Sequence, residues 1–152
     1  VVSILTTWVW HGGPFTVPSA MSKAGLNVMT QSLAVEWGNR GVRFNAIAPG
    51  PFPTEGMSAR LNPSGGAMAE DKDPMIPLGR NGEMRELANL AVYLLHPLSA
   101  YVNGQTIAID GGAHLLTRGG FSRLASWGDA EWEAARNAIR ATNEKDRAQR
   151  TV

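Results

Sequence analysis

Residues 19–23, Ser-Ala-Met-Ser-Lys, run into AGLNVMTQSLAVEWG (24–38) and then, past Asn39-Arg40-Gly41, into VRFNAIAPGPFPTEG (42–56). The first part predicts a helix from about Ser19 to Trp37, and Val42 to Ala48 predicts a strand that Pro49-Gly50-Pro51 ends. Ser19 and Lys23 are four apart and so project from one helical face. A strand that stops at Pro-Gly ends where open α/β sheets bind ligands, outside the carboxyl ends of their strands. The apolar residues of the helix form two stripes, Met21, Ala24, Val28 and Val35 on one side and Leu26, Met29, Leu33 and Trp37 nearly opposite. One stripe is expected on the helix's own sheet and the other against something else. Ser19, Lys23, Asn27 and Thr30 form a narrower polar strip between them.

Working outward, Val1 to Thr7 predicts a buried strand, and WVWHGGPFTVP (8–18) a loop punctuated by glycine and proline. Residues 51–77 carry five prolines and three glycines, a long irregular connection of the kind that serves as a lid or binding loop. A helix from about Glu83 to Leu95 stops at Pro97, and a strand from Gln105 to Ile109 closes on Asp110-Gly111-Gly112. A charged helix follows from about Asp129 to Arg147. Strands alternating with helices imply parallel pairing and an α/β layer fold.

The chain has 152 residues, 43% of them hydrophobic, enough for one packed core. It opens directly on a strand with no initiator methionine or charged leader, so it is expected to be a piece of a longer domain. A net charge of +1, from dispersed basic and acidic residues, gives no reason to expect nucleic acid or an anionic membrane. The absence of cysteine excludes disulfides and thiolate metal sites and fits a reducing cytosol, so a cytoplasmic location is expected.

Lys23 lies near a helix start, where the helix dipole disfavours a cation, so the position calls for a partner or a task. A solvated lysine on the polar strip is the other reading. Ser19 suits a helix N-cap, and its hydroxyl is a poor direct proton donor without an adjacent base. Thr6 and Thr7, at the first strand's end, are either ordinary β-branched strand residues or hydroxyls for a substrate carbonyl. Trp8 and Trp10 are either core aromatics or pocket walls. His11 has no partner visible in the sequence and reads as a surface loop residue.

Taken together, Ser19 to Lys23, Pro49-Gly50-Pro51-Phe52-Pro53-Thr54, Pro77-Leu78-Gly79-Arg80, Glu86 to Leu90 and Asn103 to Gly112 resemble the second half of a short-chain dehydrogenase/reductase. The likeness is nearest to the 2,4-dienoyl-CoA reductase branch, where serine replaces the tyrosine of the usual Tyr-x-x-x-Lys pair. The tail FSRLASWGDAEWEAARNAIRATNEKD is similar to the tail of that branch, so the resemblance covers nearly all of residues 1–152. It implies the C-terminal part of a single Rossmann-like, doubly wound parallel sheet, the glycine-rich half lying outside this sequence.

The resemblance also implies roles. Lys23 would bind the nicotinamide ribose, with Pro49, Gly50, Pro51, Phe52 and Thr54 completing the cofactor contacts. Ser19 would be a positioning group and Thr6 a polar member of the site. Trp8 stands near a tyrosine of the related reductases, and indole has no titratable proton near neutral pH. Arg60 matches an arginine used toward the CoA part of the substrate, for which a planar guanidinium is suited. The implied reaction is reduction of a dienoyl-CoA thioester by NADPH, or by NADH, in unsaturated fatty acid degradation by a homodimer or homotetramer. Another short-chain oxidoreductase with a non-CoA substrate, and a non-catalytic cofactor-binding subunit, are the competing readings.

Overall fold

The computed structural model describes residues 1–54, 76–116 and 121–149. They fall into two compact units, Val1–Thr117 and Arg118–Val152. In the first, strand β1 (Val2–Ile4) leads through a 3-10 turn (Thr7–Val9) to helix α1 (Val17–Gly38) and strand β2 (Asn45–Pro49). Helix α2 (Met84–Leu95), a second 3-10 turn (Pro97–Ser99), strand β3 (Thr106–Ile109) and the short helix α3 (Ala113–Leu116) complete it. The sheet is parallel in the order β1-β2-β3, with Ile47 opposite both Ile4 and Ile107. The expected α/β layer fold is therefore present.

Element ends differ from the sequence reading for local reasons. The first strand yields to a 3-10 turn after Leu5, whose N–H still reaches Ile47 O at 2.7 Å. Helix α1 begins two residues before Ser19, because proline is accepted in a first helical turn, where its missing N–H has no helical partner to lose. The central strand starts only at Asn45, because the Phe44 N–H is taken by Asn103 Oδ1 at 2.9 Å.

The core is β2, where Ala46, Ile47 and Ala48 are fully buried, with Leu5 and Leu94. The polar side chains buried around this core, Asn45, Thr30 and Ser99, are paired, as burial demands. Asn45 donates through Nδ2 to Val102 O and accepts from the Gln105 N–H. Arg43 donates to Val102 O at 2.8 Å and Leu94 O at 2.9 Å, so one guanidinium caps carbonyls at the end of α2 and ties that end to the strand.

Helix α1 corrects the expected placement of its stripes. The strip read as polar faces the sheet: Lys23 reaches Ile4 O, Asn27 Oδ1 accepts from Thr106 Oγ1 at 2.7 Å, and Thr30 is fully buried with its hydroxyl on Leu26 O. Leu26 packs on the Leu5, Ala46 and Ala48 cluster, and Ala34 is buried one turn past Thr30. Met21, Val28 and Val35 are 71%, 60% and 84% exposed, so the apolar stripe they form has no cover among the described residues.

In the second unit, helix α4 (Asp129–Gln149) follows a 3-10 turn (Ser122–Ser126). Gly128 N–H bonds to Glu131 Oε2 at its start, and Trp127 meets Trp132 edge to face at 5.0 Å. Among the described residues no helix is long and apolar enough to cross a membrane.

Candidate functional site

Because all three strands run parallel, residues 5–10, 50–54 and 110–114 leave the sheet at the same edge. Ligands of open α/β sheets collect there. Lys23 arrives from α1: its Nζ donates to Ile4 O, the last residue of β1, at 2.8 Å. An ammonium carries three donors and this contact uses one. The anchored lysine thus stands at the carboxyl edge of the sheet.

Ser19 lies one turn earlier and is exposed. It is the third residue of α1 and not its N-cap, a correction to the sequence reading; Thr16 occupies the cap and turns its hydroxyl back to Gly13 O at 2.8 Å. Thr6 precedes the first 3-10 turn, with its Oγ1 3.5 Å from the Trp8 N–H, a long contact. Thr7 is buried, whereas Trp8 is 37% exposed. Trp10 packs on the core cluster below and on His114 beside it. In His11, Nε2 is shielded from solvent and makes no hydrogen bond.

From β2, Gly50 bonds through its N–H to Ile109 O at 2.9 Å and passes so close to β3 that an added Cβ would lie 2.6 Å from Asp110 Cβ and 2.8 Å from its Cα. Only glycine allows that approach. Phe52 is buried, its ring lying where a side chain on Gly82 would have to go, while Pro53 and Thr54 are exposed. Pro51, Phe52, Ile76, Leu78, Asp110 and Gly111 line a depression at this edge. Arg60 lies outside the described residues.

The structure adds roles for residues that the sequence offered only as part of the family resemblance. Burial pushes the Asp110 carboxyl up, but the N–H of His114, its imidazole and the N–H of Gly112 outweigh this and hold it below its ordinary value. Gly111 and Gly112 adopt φ of 62° and 86°, which lets both sides of the turn fold over the carboxylate. Arg80 forks onto Glu86 with contacts of 2.9 and 2.7 Å, and Glu86 also accepts from the Glu83 N–H at the start of α2.

This clasp makes a pH prediction. The Arg80 hydrogen bond, then the Glu83 N–H, lower the Glu86 carboxyl from 4.5 to about 2. A depressed carboxylate contributes stability above its unfolded value and loses it as pH falls through the folded one. The clasp should therefore be intact at pH 4.5 and lost toward pH 2. Side-chain carboxyl NMR should find Glu86 titrating near the bottom of that window, and Arg80→Met should move it upward. An ordinary Glu86 titration in the parent protein would remove the clasp.

Comparisons with known proteins point one way. A family model described as enoyl-(acyl carrier protein) reductase matches residues 3–114. A probable 2,4-dienoyl-CoA reductase of Caenorhabditis elegans, (3E)-enoyl-CoA-producing, is 43% identical over 152 residues, covering 97% of this chain and 49% of that protein. A probable 2,4-dienoyl-CoA reductase of Bacillus subtilis, (2E)-enoyl-CoA-producing, is 43% identical over 116 residues, covering 76% of this chain and 45% of that protein. Among solved structures, a short chain dehydrogenase from Bacillus anthracis superposes with a TM-score of 0.59 at 40% identity, covering 74% of this chain and 42% of its own. A gluconate 5-dehydrogenase from Burkholderia cenocepacia in complex with NADP and tartrate gives a TM-score of 0.66 at 30% identity, covering 74% of this chain and 43% of its own. The chain spans about half the length of the curated relatives it matches.

Proposed function

Since the chain belongs to the short-chain dehydrogenase/reductase family, we propose that it forms the carboxyl-terminal part of one Rossmann domain in an NADPH-dependent reductase of 2,4-dienoyl-CoA thioesters. The observation that carries this reading is Lys23 anchored at the carboxyl end of β1 while Pro49 to Phe52 leave the neighbouring strand beside it. The donor set suits the coenzyme: an ammonium with N–H groups to spare fits a ribose diol. NADH is the alternative coenzyme. When bound, the nicotinamide supplies the hydride.

The chain's own residues would do the rest. Lys23 holds and orients the ribose, with Gly50, Pro51, Phe52 and Thr54 along the coenzyme. Thr6 and Ser19 order the polar side of the site, and the half-exposed Trp8 shapes the acyl side. Reduction of a conjugated thioester develops negative charge on its carbonyl oxygen, so donors aimed at that oxygen lower the barrier most. Ser19 in place of a tyrosine weighs against ordinary carbonyl reduction, because a serine hydroxyl is too weak an acid to protonate an alkoxide unaided. Arg60 is assigned to the CoA phosphates. Among the described residues β1 is an end strand paired with β2, and its other side is where the rest of the sheet would add. The bare stripe Met21, Val28 and Val35 suits a two-fold contact, hence a homodimer or homotetramer. A cysteine-free chain suits a reducing compartment, and we place the protein in the cytosol.

The test is turnover by the full-length protein. NADPH consumption should be at least tenfold more efficient with a 2,4-dienoyl-CoA than with a simple ketone, about 1.4 kcal/mol of discrimination. Preference for the ketone would transfer the assignment to a short-chain oxidoreductase of non-CoA substrates.

A further inference from the structure

Asp110 and His114 form a cluster for which the proposed reaction has no use as yet. The Asp110 side chain is 4% exposed and that of His114 17%. One carboxylate oxygen accepts the Gly112 N–H at 2.9 Å; the other accepts the His114 N–H at 2.8 Å and meets His114 Nδ1 at 2.6 Å. A carboxylate so held fixes the imidazole plane and its tautomer, as carboxylates do for histidines that must keep one orientation. The imidazole then meets the Trp10 indole at 5.3 Å between centroids and 40° between planes.

The cluster touches all three loops at the carboxyl edge. Asp110 follows β3, presses on Gly50 after β2 so closely that no side chain would fit between them, and through His114 bears on Trp10 after β1. Trp10 is fixed from below by the Leu5, Ala46 and Ala48 cluster. It is therefore gripped between sheet and imidazole, two residues from Trp8, which is 37% exposed. The Asp110 turn is closed by the N–H groups of Gly112 and His114, and the imidazole adds a side-chain contact to the same carboxylate.

We propose that Asp110 and His114 are positioning residues, a clamp that sets Trp10 and with it the 8–10 segment on the acyl-substrate side of the site. The word substrate here rests on the reductase reading above; the clamp itself does not. Loss of the imidazole should loosen the substrate wall without touching the coenzyme contacts. Substrate binding and chemistry should then respond differently.

Two measurements on the full-length protein test this. The near-ultraviolet circular dichroism of the parent minus that of Trp10→Phe isolates the Trp10 band. His114→Ala should lose most of that band, and His114→Gln, whose amide can still donate to Asp110 and cover the indole, should keep it. In steady state, His114→Ala should raise KM for the dienoyl thioester about tenfold, leave kcat within about threefold and leave KM for NADPH unchanged, with Gln restoring the parent value. An intact Trp10 band in His114→Ala, or an equal fall in kcat and in affinity for both ligands, would overturn the clamp. Absence of dienoyl-CoA turnover in the parent protein would count against the proposed reaction alone, and the Trp10 band then decides the clamp by itself.

Discussion

Lys23→Ala in the full-length protein is expected to weaken NADPH binding and reduce kcat/KM by roughly 100-fold, because charge-assisted hydrogen bonds worth about 3 kcal/mol are lost and each ~1.4 kcal/mol is a factor of ten. The lysine is held at the strand edge by its bond to Ile4 O, so the ammonium is already in place when a ligand arrives and little ordering cost remains. Ser19→Ala is expected to cost far less, within about threefold, since an exposed hydroxyl that does not cap the helix contributes mainly orientation. Coenzyme titration by calorimetry and steady-state kinetics on both variants check the pair. Equal damage from the two substitutions would make Ser19 an obligatory participant in the chemistry.

Gly50→Ala is the substitution with the largest expected cost to folding. The new Cβ would sit 2.6 Å from Asp110 Cβ and 2.8 Å from Asp110 Cα, and the Cα cannot move aside as the end of a flexible side chain could. One strand end must shift, breaking the Gly50 N–H bond to Ile109 O and disturbing the Asp110 turn, for about 3 kcal/mol of destabilisation. Gly25 in α1 is the contrast, with nothing within 4 Å of an added Cβ; there alanine should be neutral or stabilising by up to ~1 kcal/mol from helix propensity. Urea midpoints of the two variants should move in opposite directions or differ by most of that sum. A Gly50→Ala midpoint equal to the parent's would mean that the close approach of the two strands is not required.

The order of elements was legible because periodicity and punctuation agree. The run from Val42 to Ala48 had to hold a buried strand, although its first three residues stay outside it, and Pro49-Gly50 had to end it. Lys23 was legible as a candidate because a cation near a helix start needs a reason. The orientation of α1 was harder. Lys23, Asn27 and Thr30 are spaced four and three apart on a single helical face that the buried Ala34 continues, yet the polarity of the strip from Ser19 to Thr30 made that face look solvated. Its hydrogen bonds come from Ile4 and Thr106, on strands far away in sequence, so no local pattern could reveal that a polar strip was the buried one. The spacing itself was the available signal. His114 was missed for a related reason: its partner Asp110 is one turn away, but the indole that gives the pair a purpose comes from a loop a hundred residues earlier, Trp10. Ser19 looked like a cap because serine at a helix start so often is one, and the earlier start at Val17 took that role away.

The central claim is that residues 1–152 carry one half of a nicotinamide site. Calorimetric titration with NADPH, run in parallel on this chain alone and on the full-length protein, tests it most directly. The glycine-rich phosphate loop of such folds belongs to their first strand-turn-helix unit, and residues 1–152 contain no G-x-G-x-x-G. The full-length protein should therefore bind NADPH at micromolar affinity, the isolated chain should show no saturable heat at millimolar coenzyme, and Lys23→Ala should weaken the full-length response. Low-micromolar binding by the isolated chain would contradict the account.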